Sequence, residues 1–272
     1  MQIPDEIRKS VVFVGYKESN APEKIVFGGT AFFVEELDIK KASFTHLVTA
    51  KHNIMRIIEK GVDDRVYLRC NFKNKPADNI PTDIDKWVFH PFDSNADVAV
   101  FPLIPLGKEV DYLAYPLTSA ATAHWMEEEK VGIGDEVFLV GLFVFHKGTK
   151  KNIPIIRIGN IAAMPEELVK TKLGETEAYL VESRSLGGLS GSPVFVHLGS
   201  TRYRDGTLWA ANEYMFRLLG LMHGHWGVDD LDIDVFTEDD QGKINAGIAI
   251  VTPIDKVIEV IQQSKLTELK KR

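Results

Sequence analysis

Leu186-Gly187-Gly188-Leu189-Ser190-Gly191-Ser192-Pro193-Val194-Phe195 decides how this chain of 272 residues is read. Ser190 has Gly188 two positions before it and Gly191 directly after it, and Ser192-Pro193 leads into an apolar run that reads as a strand. A serine hydroxyl is a poor nucleophile at neutral pH. To attack a carbonyl it needs an imidazole to take its proton and N–H donors to hold the oxyanion that forms. Gly188 and Gly191 carry no Cβ, so the backbone can turn sharply about Ser190 and bring N–H groups up to a substrate carbonyl. The run therefore reads as a nucleophile loop. Taken by itself it fits an ordinary glycine-rich turn equally well, because Gly and Ser are common turn formers.

Two further segments separate those readings. Phe44-Thr45-His46-Leu47-Val48-Thr49-Ala50-Lys51-His52 reads as a buried strand with a histidine at its end, and Asn95-Ala96-Asp97-Val98-Ala99-Val100-Phe101 sets an aspartate at the start of another. Each has a plain alternative: a lone histidine after a strand is usually a packed or surface residue, and Asp97 after Asn95 can simply end a turn. Their joint order, His52, Asp97, Ser190, is the informative feature. Unrelated folds reach one serine-histidine-acid geometry in different chain orders: α/β-hydrolases run Ser, acid, His; subtilisin-like enzymes run Asp, His, Ser; chymotrypsin-like double barrels run His, Asp, Ser. Only the last matches. The Gly-x-Ser-x-Gly elbow of the α/β-hydrolases is also not met, because position 192 is Ser.

On these segments the chain resembles the bacterial trypsin-like (chymotrypsin-fold) serine peptidases. Thr49-Ala50-Lys51-His52 resembles the family's Thr-Ala-x-His, and Asp97-Val98-Ala99 resembles its Asp-hydrophobic-Ala strand. Gly188-Leu189-Ser190-Gly191-Ser192-Pro193 resembles its Gly-Asp-Ser-Gly-Gly-Pro, and the separations of 45 and 93 residues are family-like. Leu219-Gly220-Leu221-Met222-His223-Gly224 resembles the strand after the nucleophile that pairs with the substrate backbone. The resemblance implies an all-β fold of two packed six-stranded antiparallel β-barrels with a C-terminal α-helix and an active site between the barrels. It further implies His52 as general base, Asp97 as the group that orients its ring, Ser190 as nucleophile, and the N–H groups of Gly188 and Ser190 as the oxyanion hole. The substrate would be a protein or peptide, and no cofactor or metal is called for. Leu189 departs from the pattern, since zymogen-activated members carry there an acid that pairs with a newly cut N-terminus. Leucine cannot make that pair, so the loop is expected to be held by packing from the start. The alternative function is a catalytically silent or partner-gated barrel that acts as a binding module, which fold alone does not exclude.

Bulk properties agree. A chain of this length can bury a substantial core without covalent staples, and Cys70 is the only cysteine, so no intrachain disulfide forms and a reducing compartment is favoured. Val11-Val12-Phe13-Val14 is too short for a signal-peptide core, so the expected location is the cytoplasm. A net charge of −7 and an isoelectric point near 5.7 give no general attraction to nucleic acid, and no apolar run approaches a membrane-spanning length.

Short apolar or alternating runs dominate the chain. Val11 to Tyr16, Lys24 to Val34, Phe44 to Thr49, Arg65 to Cys70, Lys86 to Phe89 and Val98 to Leu103 read as the strands of one barrel, within residues 1–115. Residues 116–135 read as a linker with a short helix. Val137 to Val140, Ile155 to Ile161, Ala178 to Val181, Val194 to His197, Arg217 to Met222 and Gly247 to Val251 read as a second barrel within 136–252. Pro253 then opens a helix over 253–272, with Ile254, Val257, Ile258 and Ile261 on one face.

For specificity, the resemblance places Ser183, Arg184 and Ser185 at the base of the primary pocket and His223, Gly224 and His225 on its wall. A basic pocket would favour Glu or Asp before the scissile bond; alternatively Arg184 points to solvent or pairs with Glu182. His223 and His225 also have the two-apart spacing of a metal pair on a strand, but no third ligand with recognisable spacing accompanies them. Asp229 to Asp234 and Glu238-Asp239-Asp240 read as a solvated acidic region that could dock a regulatory protein.

Overall fold

The structure is a computed structural model and describes residues 3–37, 42–102, 106–171, 173–183, 188–199, 201–204, 207–210, 216–227, 245–263 and 266. A 3-10 turn over Asp5–Ser10 precedes eight strands: β1 (Val11–Glu18), β2 (Ala21–Leu37), β3 (Ser43–Thr49), β4 (Arg65–Cys70), β5 (Asp78–Asp83), β6 (Val88–Phe89), β7 (Ala99–Pro102) and β8 (Tyr115–Pro116). Helix α1 (Lys51–Lys60) follows β3. Helix α2 (Ala123–Glu128) leads to β9 (Glu136–Gly141), β10 (Ile155–Ala163), β11 (Val169–Thr171), β12 (Gly174–Thr176), β13 (Tyr179–Glu182), β14 (Pro193–His197), β15 (Thr201–Arg204), β16 (Thr207–Ala210), β17 (Phe216–Gly227) and β18 (Asn245–Pro253). Helix α3 (Ile254–Gln262) ends the described fold.

Among the described residues, β11–β12 and β15–β16 pair as two separate two-stranded sheets, and the other strands form two bodies. The second half is a closed barrel in the order β10-β13-β18-β17-β14-β9, and the first is an open sheet in the order β5-β4-β1-β2-β3-β7-β6 with β8 added parallel to β2. The expectation of two closed barrels is therefore corrected for the first half, where β5 and β6 remain the ends of the path. The sequence supplies the reason: β6 is two residues long and stops before His90-Pro91, while Pro81 inside β5 has no N–H to offer a neighbour. Tyr115–Pro116 pairs with β2, and Ala120 a few residues on bridges to Leu218 on β17.

Between the sheets lies one continuous apolar layer. Val11, Phe32, Val34 and Val48 from the first sheet meet Phe138, Val140, Phe195 and Leu221 from the barrel. Phe138 stacks on Phe195 with ring centroids 5.0 Å apart, and Tyr115 meets Phe195 edge-on while its hydroxyl donates to the Phe216 carbonyl at 2.8 Å. Burial pushes the Tyr115 phenol up to about 12. Helix α3 buries Ile254, Val257, Val260 and Ile261 in this same layer, and Gln263 donates to the Phe89 carbonyl of β6. The helix thus ties the barrel to the first sheet, a wider role than packing on its own barrel.

A buried arginine makes a second tie. Arg69 on β4 donates to the carbonyls of Lys147 (3.3 Å), Gly148 (3.0 Å) and Thr149 (2.9 Å) and to Asn152 Oδ1 (2.5 Å), while Asn152 Nδ2 donates back to the Arg69 carbonyl at 2.6 Å. Burial lowers the Arg69 pKa, but its donors are matched to carbonyls rather than to a counter-charge. Arg69→Met keeps the apolar stem and removes every donor that reaches the Lys147, Gly148 and Thr149 carbonyls and Asn152. The expected loss is about 2–4 kcal/mol of unfolding free energy in a urea titration.

Candidate active site

His52, Asp97 and Ser190 come from three elements that converge where the two sheets meet. His52 is the second residue of α1, directly after β3, and Asp97 precedes β7, the neighbour of β3 in the sheet. The Asp97 carboxylate is fully buried and receives His52 twice: Oδ1 accepts the His52 backbone N–H at 2.9 Å, and Oδ2 accepts from Nδ1 at 2.7 Å. The ring is thereby fixed, and Nε2 is left as the nitrogen able to take a proton. Burial alone raises the Asp97 carboxyl. The hydrogen bond from the His52 ring, the charges of His52 and His223 and the His52 backbone donor outweigh it and hold the carboxyl below the ordinary range.

The Ser190 loop is pinned to the first sheet at its own backbone. The Ser190 carbonyl accepts from Thr30 N at 3.0 Å and from Asn53 Nδ2 at 2.9 Å, and Asn53 is the residue after His52. Thr30 Oγ1 donates to the Gly188 carbonyl at 2.9 Å and accepts the Leu142 N–H at 2.9 Å, and Thr49 Oγ1 donates to the Thr30 carbonyl at 2.6 Å. From the barrel side, Gly191 N donates to Met222 O at 2.7 Å and Met222 N to Ser192 O at 2.8 Å.

Gly188 and Gly191 are the two glycines this path requires. Gly191 has φ +82°, and a Cβ there would collide with the Thr30 carbonyl and the Thr49 hydroxyl. Gly188 has φ +98°, and a Cβ there would meet Val144 Cγ1 at 2.8 Å. Among the described residues the N–H groups of Gly188 and Ser190 donate to no backbone carbonyl. Leu189 between them is fully buried in the barrel core with Leu139, Val194 and Met222. No hydrogen bond joins His52 to the Ser190 hydroxyl; such contacts often tighten only when substrate is present.

Of the residues expected to form the substrate pocket, Arg184 and Ser185 lie outside the described residues, as does the acidic run from Asp229 to Asp240. Gly224 and His225 lie on β17, opposite Ile250 and Ala249 of β18. His223 is buried and sits with Nδ1 3.0 Å from Asp97 Oδ2, a position behind the His52–Asp97 pair that its place in the sequence did not suggest. Four other histidines pair with glutamates: His46 with Glu36, His90 with Glu259, His124 with Glu128 and His197 with Glu136. Among the described residues no cluster of three or more His, Cys, Asp or Glu could hold a metal ion, and no helix is long and apolar enough to cross a membrane.

Comparison with solved structures bears on the fold. The MamO protease domain from Magnetospirillum magneticum, in its apo form, superposes with a TM-score of 0.52 at 14% identity, covering 95% of this chain and 99% of that one. The likeness is one of fold. With the closed barrel and the open first sheet, it fits the chymotrypsin-like class. No protein-family model and no curated protein matches the chain.

Gly191→Ala should cost about 2–4 kcal/mol in chemical denaturation, since it combines a strained φ with a backbone collision. A second prediction concerns acid. Because the folded Asp97 carboxyl ionises below its unfolded value of about 3.9, its contribution to stability is complete above that pH and is lost as pH falls through the lower folded value. The stability gap between wild type and Asp97→Asn, measured by urea unfolding, should therefore close on acidification through that window.

Proposed function

We propose that the chain is a trypsin-like serine endopeptidase that cleaves peptide bonds through His52, Asp97 and Ser190 and an acyl-enzyme intermediate. The observation that carries this reading is the doubly bonded His52–Asp97 pair held beside a Ser190 loop whose carbonyl is fastened to the residue after His52. The structural neighbour's name, a protease domain, points the same way.

In this mechanism His52 Nε2 takes the Ser190 hydroxyl proton as Oγ adds to the scissile carbonyl carbon. The oxyanion is held by the N–H groups of Gly188 and Ser190, each donor commonly worth about 3–4 kcal/mol in the transition state. The imidazolium, stabilised by Asp97, then gives its proton to the departing amine, leaving an ester on Ser190. Water, deprotonated by His52, repeats the addition and frees the acid. The substrate backbone would add as a strand along β17 beyond Met222, where the Ser190 loop has taken the place of β14. Arg184 and Ser185 are proposed for the base of the pocket and Gly224 and His225 for its wall, with Glu or Asp as the residue before the cleaved bond. Leu189, packed in the core, removes the need for a cut N-terminus, so the intact chain is proposed to be active.

The second reading, a catalytically silent or partner-gated barrel, is favoured by one observation: the missing hydrogen bond between His52 and the Ser190 hydroxyl. Fluorophosphonate labelling of the intact chain decides between them. Stoichiometric modification mapped to Ser190, slowed about 10⁴-fold in Asp97→Asn, is the expected result. A folded chain that does not label, or labels only after cleavage within residues 3–12, contradicts constitutive activity.

A further inference from the structure

We propose that His223 is a positioning residue for His52, acting through the carboxylate they share, and that its protonation shuts the site at low pH. The proposal rests on the catalytic reading of His52 and Asp97 given above.

Asp97 Oδ2 has two imidazole nitrogens against it, His52 Nδ1 at 2.7 Å and His223 Nδ1 at 3.0 Å, and the two rings lie 5.7 Å apart between centroids, inclined at 51°. The His223 contact is close but off-axis, so its Nδ1 completes no aligned hydrogen bond. Next to a buried carboxylate a bare Nδ1 lone pair would be repelled. The neutral ring therefore carries its proton on Nδ1, on the Asp97 side but not aligned with Oδ2, so His52 keeps its own hydrogen bond to that oxygen. His223 is held at this point by β17, whose preceding residue, Met222, exchanges backbone bonds with Gly191 and Ser192. One strand thus sets both the nucleophile loop and the second imidazole.

The ionisable groups that act on His223 are Asp97, from the segment before β7, and His52, from α1. Burial, with the His52 charge, lowers the His223 pKa against the opposing pull of Asp97, so the ring is neutral at physiological pH. In the catalytic cycle His52 must become a cation. When His223 is neutral, Asp97 is free to stabilise that charge. Once His223 is itself a cation it claims the same carboxylate oxygen and repels the imidazolium across 5.7 Å, so acyl transfer stops.

Two measurements test this. In the first, the pH dependence of the fluorophosphonate labelling rate is compared between wild type and His223→Asn, which keeps a donor and cannot titrate. The expected result is an acid limb in wild type that steepens from slope one towards slope two as His223 protonates, and a limb in His223→Asn that keeps slope one. Superimposable limbs overturn the proposal. In the second, proton NMR follows the titration of the His223 ring in wild type and in His52→Ala. Coupling between the rings requires the His223 midpoint to move upward by about one pH unit when His52 is removed, and an unchanged midpoint overturns the proposal even if His223→Asn fails to fold. If Ser190 does not label but the midpoint moves, the catalytic reading fails while the coupled pair of imidazoles stands.

Discussion

The hydrogen bond from Thr30 N to the Ser190 carbonyl joins a strand of one sheet to a loop of the other body, and the geometry of the site depends on it. Around it, Thr30 Oγ1 bridges Leu142 N to the Gly188 carbonyl, and Thr30 O accepts from Thr49, at the end of the strand that leads into His52. Three short connections therefore relate Gly188, the Ser190 loop and, through Thr49, the entry to helix α1 to one residue. Gly191 is the steric condition for this arrangement: its missing Cβ lets the loop lie against Thr30 and Thr49.

The apolar layer and the polar bridge divide the labour. Phe138, Phe195, Tyr115 and helix α3 place large apolar side chains in the layer between the bodies, and burial of that kind is favourable but non-directional. Direction comes from the hydrogen bonds, which weaken steeply away from alignment and so fix how donors and acceptors face each other. Arg69 adds a second fixed point at the far end of the loop that begins at Leu142, and Val144 of that loop lies against Gly188. The loop that starts at Leu142 is thus held at both ends by residues of the first sheet.

Much of this was legible in the sequence. The strand runs were found in order because alternating and β-branched segments stand between polar turns, and the chain order of His52, Asp97 and Ser190 narrowed the fold. Helix α1 was not anticipated, because the apolar run from Phe44 to Ala50 hid the change of period at Lys51; Ile54 and Ile57, buried three apart, were the available signal. Strand β5 was missed because Asp78–Asp83 holds two aspartates, an asparagine and a proline, a composition unlike a strand. Closure of the first sheet was over-read for the same reason, since strand count says nothing about whether the end strands are long enough to pair. Thr30 and Asn53 carried no motif, and their importance is visible only when the two halves are brought together. The resemblance places His223 on the pocket wall, and neither it nor the spacing from His225 shows that the ring meets the Asp97 carboxylate.

The central claim is that the bridge at Thr30 holds a formed oxyanion site beside His52 and Asp97. Its most direct test is a crystal structure of the chain after reaction with diisopropyl fluorophosphate. The account predicts a phosphoryl oxygen about 2.7–3.1 Å from both Gly188 N and Ser190 N, with the Thr30–Ser190 bond intact. An unmodified Ser190, or an adduct whose oxygen points away from those two donors, would contradict it.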